Sequence, residues 1–337
     1  MQRPKIPIRQ ILFIIVLILF GMSFQTKNEK SYQFIHGSTM GTTYHIKFDF
    51  HESIKIKQKV EKVLRDLNQS MSTYIKDSEI SKFNSFQSIE PMTISSGLWF
   101  MVNEAFKVSK LSNGGYDVTV GPLLREYGFG PNKRVNSIPT KETINSIKTY
   151  IGYKKVKLLE DFQIKKLHPK IQLDLNSIAK GYGVDLICKF LDKSKIENYL
   201  VEIGGEIKAK GKSPRDDNWH IGINQPVRGS KSDQFYSVVP IINQSMATSG
   251  NYRSFVKSKD KILGHIIDPI TGKPIQTEVL SATIFAKDCY YADALATMSM
   301  VSGLDKSIKI LKELKGVKYY LIAVDKDKKL KHYSNLK

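Results

Sequence analysis

The chain is 337 residues long, which leaves room for one large or two modest domains with a sizeable core. At 41% hydrophobic and 25% charged residues its composition is that of a globular protein and excludes a disordered one. The formal net charge of +20 would attract an anionic ligand or an acidic membrane surface, but the lysines are spread along the chain without a recognition motif, so nucleic acid is not an expected partner.

The first 24 residues stand apart. Arg3, Lys5 and Arg9 precede the apolar run from Ile11 to Phe20, and Gly21-Met22-Ser23 offers a small-x-small cleavage pattern, so the segment reads as a secretory signal or an uncleaved N-terminal membrane anchor. The run is shorter than the roughly 20 apolar residues of a comfortable transmembrane helix. Such a leader implies export, to the periplasm or the outer face of the cytoplasmic membrane. No cysteine follows it to carry a lipid. Cys188 and Cys289 are the only two in the sequence, lack C-x-x-C or Cys/His spacing, and read as buried thiols.

From residue 25 onward the elements follow without a repeat or linker. After a polar, turn-like stretch ending in Ser38-Thr39-Met40-Gly41-Thr42, Tyr44, Ile46, Phe48 and Phe50 alternate with polar neighbours, a half-buried strand within Met40 to Phe50. Ile56, Val60, Val63, Leu64, Leu67 and Met71 keep helical spacing and predict an amphipathic helix from Glu52 to Met71. Asp77 or Ser78 caps a short helical turn, and Ser95 or Ser96 opens a helix that buries Leu98, Met101, Val102, Ala105 and Val108 and stops at Gly114. The glycine-rich segment around Asp117 is either a close backbone approach to a ligand or a tight connection. Thr140 caps a helix to about Tyr150, and Val156 to Leu159 and Ile171 to Leu173 read as strands.

Q-L-D-L-N-S-I-A-K-G predicts a strand ending at Asp174 and a helix starting at Asn176 or Ser177, with Lys180 in its first turn. A helix N-terminus with an added lysine suits phosphate. Strands follow at Tyr199 to Ile203, after Gly204-Gly205, at Trp219 to Asn224 and at Tyr236 to Ile242. Gly211-Lys212-Ser213 lacks the first glycine and the strand-loop-helix context of a phosphate-binding loop, and G-x-G-x-x-G is absent, so neither nucleotide motif is supported. His265 stands at the mouth of a strand that runs from Ile266 into a Pro/Gly turn, and Val279 to Ala286 is a buried strand. On the helix that follows, Asp293 and Thr297 lie one turn apart, about 5–6 Å at Cβ. They are hard oxygen donors of the kind magnesium takes, or else a carboxylate complementing the helix dipole and a hydroxyl bonded to its own backbone. A helix near Asp305 to Leu314, the strand V-K-Y-Y-L-I-A-V and a D-K-D-K-K turn close an α+β body.

Eight segments, M-G-T-T-Y, M-S-T-Y-x-x-x-S-E-I-S-K-F-N, G-G-Y-D-V-T-V-G-P-L, D-L-N-S-I-A-K-G-Y-G-V-D, V-E-I-G-G-E-I, A-T-S-G-N-Y-R, H-I-I-D-P-I-T-G-K-P and A-D-A-L-A-T, together resemble the ApbE family, the FAD:protein FMN transferases, in unbroken order from Gly37 to Gly303. The resemblance implies one catalytic body of mixed and antiparallel sheets flanked by helices, related to the T-fold, over residues 25–337. It also implies roles. Met40 and Tyr74 would pack on the flavin, Gly115, Tyr116 and Asp117 would run along the dinucleotide, and Asp174 would hold the adenosine half of FAD with Lys180 nearby. The carbonyl of Ser177, with Asp293 and Thr297, would bind Mg2+. His265 would be the general base for a Thr or Ser hydroxyl of an exported or membrane-embedded redox subunit, which takes FMN while AMP leaves. Hydrolysis of FAD to FMN and AMP, and simple FAD binding, are the alternatives. Two departures stand out: many relatives carry a second acid where this chain has Ala296, and no cysteine is placed for a lipoprotein anchor.

Overall fold

The computed structural model describes residues 31–50, 53–131, 138–227, 234–250, 255–258 and 261–336. The leader expected at residues 1–24 lies outside them. Strands β1 (Gln33–Thr39) and β2 (Thr42–Phe48) form a hairpin, followed by α1 (Ser53–Met71), α2 (Glu79–Ser85), β3 (Met92–Thr93), α3 (Ser96–Leu111), α4 (Gly121–Glu126), α5 (Lys141–Lys148), β4 (Val156–Leu158) and β5 (Gln163–Lys166). Helix α6 (Ala179–Lys193) leads to β6 (Tyr199–Ile203), β7 (Glu206–Lys210), β8 (Trp219–Asn224), β9 (Phe235–Ile241) and β10 (Gln244–Gly250). The short hairpins β11 (Phe255–Ser258) with β12 (Lys261–Gly264) and β13 (Ile267–Asp268) with β14 (Lys273–Pro274) precede β15 (Val279–Ala286), α7 (Cys289–Ser302), α8 (Leu304–Glu313), β16 (Lys318–Val324) and β17 (Leu330–Ser334).

The centre is an eight-stranded sheet in the order β1-β2-β6-β7-β10-β15-β16-β17, with every neighbouring pair antiparallel. Its register sorts side chains by parity. Met246 and Phe285 share one face and join Tyr320, Ile322, Trp219 and Ile241 under the β8–β9 hairpin. Ala247, Ile284 and Leu321 share the other face and join the core beneath α3 and α7. Because both faces are covered, β15 is buried almost throughout and its sequence reads as an apolar run, not an alternation. Under β1, β2 and β6, Tyr44, Ile46, Phe48 and Val201 pack on Ile56, Val60 and Leu64 of α1 and Val184 and Ile187 of α6. Cys188 and Cys289 are free and buried.

The expected helix starts hold at residue level. The side chains of Ser78, Ser95 and Thr140 accept the N–H groups of Ser81, Leu98 and Thr143 at 3.1, 3.2 and 3.2 Å. Gly211-Lys212-Ser213 falls in the loop between β7 and β8. Ile171 to Leu173 is not a strand. Asn84 donates from Nδ2 to the Leu173 carbonyl at 2.8 Å and accepts the Leu173 N–H at 2.7 Å, while the buried Lys166 ammonium donates to the Ile171 carbonyl at 3.3 Å. Side chains thus satisfy the backbone that a neighbouring strand would otherwise pair. Strands β1, β10 and β17 and helix α4 go beyond the sequence expectation, since polar residues obscure the period in each of them.

Candidate active site

A cleft of about 840 Å3 opens along one end of the sheet, within the size range of small-molecule sites. It is lined by Tyr74, Gly115, Tyr116, Asp117, Asp174, Ser177, Lys180, His265, Asp293 and Thr297. Of the residues expected at a site, Met40 alone is not among the lining. It occupies the β1–β2 turn at φ 51° and packs against two apolar clusters.

One wall comes from the glycine-rich segment. Asp117 does not offer its carboxylate to the cleft: Oδ1 accepts the Thr119 N–H at 2.8 Å and its hydroxyl at 2.7 Å, and Oδ2 accepts the Tyr153 N–H at 2.7 Å. Burial pushes this carboxyl above its usual range despite those bonds. Asp117 therefore pins its own loop, and that segment presents backbone to a ligand. The Asp174 N–H donates to the Val118 carbonyl at 2.7 Å, which ties the segment at 171–175 to this wall. The Asp174 carboxylate accepts the Asn176 N–H at 2.9 Å; burial raises its pKa, while that bond and the charge of Arg125 pull the other way.

Helix α6 begins at Ala179, later than the sequence suggests, because the Ser177 hydroxyl does not cap it but donates to the buried Tyr116 hydroxyl at 2.9 Å. The Gly181 N–H donates to Asp293 Oδ2 at 3.1 Å, so the Ser177 carbonyl lacks the i+4 donor that a helix interior would give it. This contact needs glycine. A Cβ at Gly181 would lie 2.4 Å from the Cys289 carbonyl oxygen, so only the bare backbone lets α6 and α7 meet where Asp293 projects.

The Gly204-Gly205 turn joins β6 to β7 with φ of 60° and 104°, and pairs Ile203 with Glu206 at the cleft edge. Glu206 is 3% exposed, and its Oε1 lies 3.3 Å from the Lys180 ammonium, which is also 3.7 Å from Asp293 Oδ2. Glu206 Oε2 has no hydrogen-bond partner among the described residues. Burial pushes both carboxyls above their usual range, against the pull of Lys180. Burial by itself would depress the lysine, but Asp293 and Glu206 outweigh it and hold the ammonium above its usual range. Thr297 shares a hydrogen bond of 3.1 Å with Ser249 of β10, so its hydroxyl is turned to the sheet edge instead of its own helix.

His265 leads into the β13–β14 hairpin, and its ring meets Phe129 edge-on at 6.4 Å between centroids. The hairpin is clamped from behind: Ile267 packs with Leu123, Ile144 and Ile147 of α4 and α5, and the Tyr127 hydroxyl donates to the Gly272 carbonyl at 3.1 Å. Sequence reasoning assigns no role to Glu206 or Ser249. The available signal for Glu206 is an acid directly after a Gly-Gly hairpin turn, next to an apolar strand residue.

The donor set here is a carboxylate, a carbonyl and a hydroxyl beside an unpartnered carboxylate oxygen. Those are hard oxygens in the small number that Mg2+ accepts when substrate phosphates and water complete its shell, so the residues fit that ion. Ala296 is fully buried in the apolar core.

The ApbE family model matches residues 40–321. An FAD:protein FMN transferase of Vibrio cholerae serotype O1 is 39% identical over 288 residues, 84% of this chain and 85% of the relative; one of Haemophilus influenzae is 38% identical over 301 residues, 86% of each. Among solved structures, a flavin transferase ApbE from Vibrio cholerae aligns with a TM-score of 0.82 at 37% identity, over 90% of this chain and 97% of that one. The apo flavinyl transferase ApbE of Pseudomonas stutzeri aligns with a TM-score of 0.80 at 29% identity, over 90% and 94%.

Proposed function

The chain belongs to the ApbE family, and from that membership we propose that it is an FAD:protein FMN transferase, moving FMN from FAD to a protein acceptor. The observation that carries this reading onto the chain's own residues is the gathering of ten candidate residues, from Tyr74 to Thr297, around one cleft.

In this reading FAD lies along the glycine-rich wall, with Tyr74 toward the flavin and Asp174 and Lys180 toward the adenosine and phosphate portions. The Ser177 carbonyl, Asp293 and Thr297 would hold Mg2+, which would supply charge neutralisation at the pyrophosphate. A Thr or Ser hydroxyl of the acceptor attacks the flavin-side phosphorus. A new P–O ester bond forms, the anhydride P–O bond breaks, and AMP departs with the bridging oxygen. His265 takes the hydroxyl proton. Its placement beside a clamped hairpin that lines the same cleft as Lys180 suits a base held in a fixed position. The N-terminal pattern of Arg3, Lys5 and Arg9 before Ile11 to Phe20 supports work outside the cytoplasm, on a redox subunit at the membrane. Among the described residues no helix is long and apolar enough to cross a membrane.

The test incubates the protein with FAD, Mg2+ and a threonine-bearing acceptor, and weighs the acceptor by mass spectrometry. A gain of one FMN with release of AMP is expected. AMP without acceptor gain indicates hydrolysis, and intact FAD indicates a binder; either overturns the reading. In the same assay His265→Ala is expected to slow transfer by about 10²- to 10⁴-fold, and an undiminished rate removes the base assignment.

A further inference from the structure

Three charged groups meet on the floor of the cleft with unequal freedom. The Glu206 and Asp293 side chains are 4% and 3% exposed and rooted in the sheet and α7, whereas the Lys180 side chain is 26% exposed and reaches them from the cleft side. One ammonium serves two carboxylates, and Glu206 Oε2 is left without a partner among the described residues. A buried carboxylate oxygen without a donor costs free energy that a second cation would recover. A divalent ion and an ammonium cannot share so small a space, because like charges a few ångströms apart at low effective dielectric repel strongly. Of the three groups only the lysine can withdraw.

We propose that Lys180 is the resident counter-cation of a two-carboxylate pocket formed by Glu206 and Asp293, and that a divalent cation displaces it, with Glu206 serving the metal as a second carboxylate. The inference rests on the flavin-transferase reading only for the identity of the ion. The displaced ammonium withdraws toward the cleft, where the FAD phosphates in that reading would meet it. Cation and dinucleotide therefore favour each other: phosphate draws the lysine off the carboxylates, and the metal releases it toward phosphate. By linkage each raises the affinity of the other by the same factor. The absence of an acid at position 296 is compatible with this arrangement, since the second carboxylate comes from β7 and not from α7.

The experiment measures Mn2+ binding to the FAD-free protein by calorimetry. Lys180→Met is expected to bind Mn2+ at least tenfold more tightly than the unaltered protein, and Lys180→Met with Glu206→Gln is expected to lose that gain. Equal or weaker binding by Lys180→Met, or a gain that survives Glu206→Gln, overturns the proposal. Should Lys180→Met fail to fold, amine acetylation mapped by mass spectrometry on the unaltered protein decides instead. Mn2+ is expected to raise labelling at Lys180 several-fold as the ammonium leaves its carboxylates, and unchanged or reduced labelling refutes displacement. Neither readout needs an acceptor or turnover. An acceptor that gains FMN while Mn2+ leaves Lys180 unchanged sinks this proposal alone, and displacement without FMN gain sinks only the transfer reading.

Discussion

At the scale of single residues, the cleft depends on polar side chains that never enter it. Asn84 meets both the N–H and the C=O of Leu173, one position before Asp174. Asn84→Ala strands two buried backbone groups at about 1–3 kcal/mol each. The expected outcome is a stability loss of about 2–6 kcal/mol in urea denaturation, with a raised KM for FAD because Asp174 loses its anchor; unchanged KM would show that Asp174 does not hold the dinucleotide. Lys166, 1% exposed, donates to the carbonyls of Phe83 and Ile171, and burial lowers its pKa to about 8. Below pH 8 both folded and unfolded states hold its proton, so the cost of burying the charge is constant. Between pH 8 and the unfolded value of 10.5 the unfolded state binds more protons, and stability rises with pH by at most about 1.4 kcal/mol per unit. Subtracting a Lys166→Met variant removes the contribution of the many buried tyrosines. The difference is expected to be flat below pH 8 and to grow in favour of the unaltered lysine above it, and a flat difference up to pH 10.5 would show that Lys166 stays charged in the fold.

At the scale of elements, the meeting of α6 with α7 assembles the half of the site proposed to hold the metal. Gly181→Ala drives a methyl into the Cys289 carbonyl, which is backbone and cannot rotate away. The two helices must separate by a fraction of an ångström or more, and the Gly181 N–H leaves Asp293. Such overpacking costs about 1–3 kcal/mol. Mg2+-dependent transfer is expected to fall at least tenfold while FAD binding without metal is retained, and a variant with unchanged Mg2+ dependence would show that the close approach is dispensable. This contact also marks how far the sequence is legible. The pairing of Asp293 with Thr297 follows from helical spacing alone, and Ser95 and Thr140 announce their helices because capping is local chemistry. Segment 171–174 is misread as a strand because the partner that meets both backbone groups of Leu173, Asn84, lies 89 positions away in sequence. Glu206 is missed because its burial is decided by Lys180 and Asp293, which arrive from two different helices. Asp117 is placed in the right wall, but its carboxylate points into its own loop toward Tyr153, a contact thirty-six positions away that no local pattern encodes.

At the scale of the molecule, one cleft draws on the β6–β7 turn, β10, α6, α7, the glycine-rich segment and the β13–β14 hairpin, which are spread over most of the chain and held by apolar clusters on both faces of one sheet. Occupation of that cleft must therefore stabilise the body as a unit. A ligand at one hundred times its dissociation constant adds about 2.7 kcal/mol to the folded state if it does not bind the unfolded chain. FAD is expected to raise the midpoint of one calorimetric transition, and FAD with Mg2+ is expected to raise it by more than the sum of their separate effects, because Lys180 stands between the two ligands as a charge that each helps to move. A second transition that ignores both ligands would show that the β3-β5-β4 sheet and its helices unfold independently of the main sheet. Strictly additive shifts would mean that the lysine does not couple phosphate to metal, and would place the specificity of the cleft in the glycine-rich wall and the His265 hairpin alone.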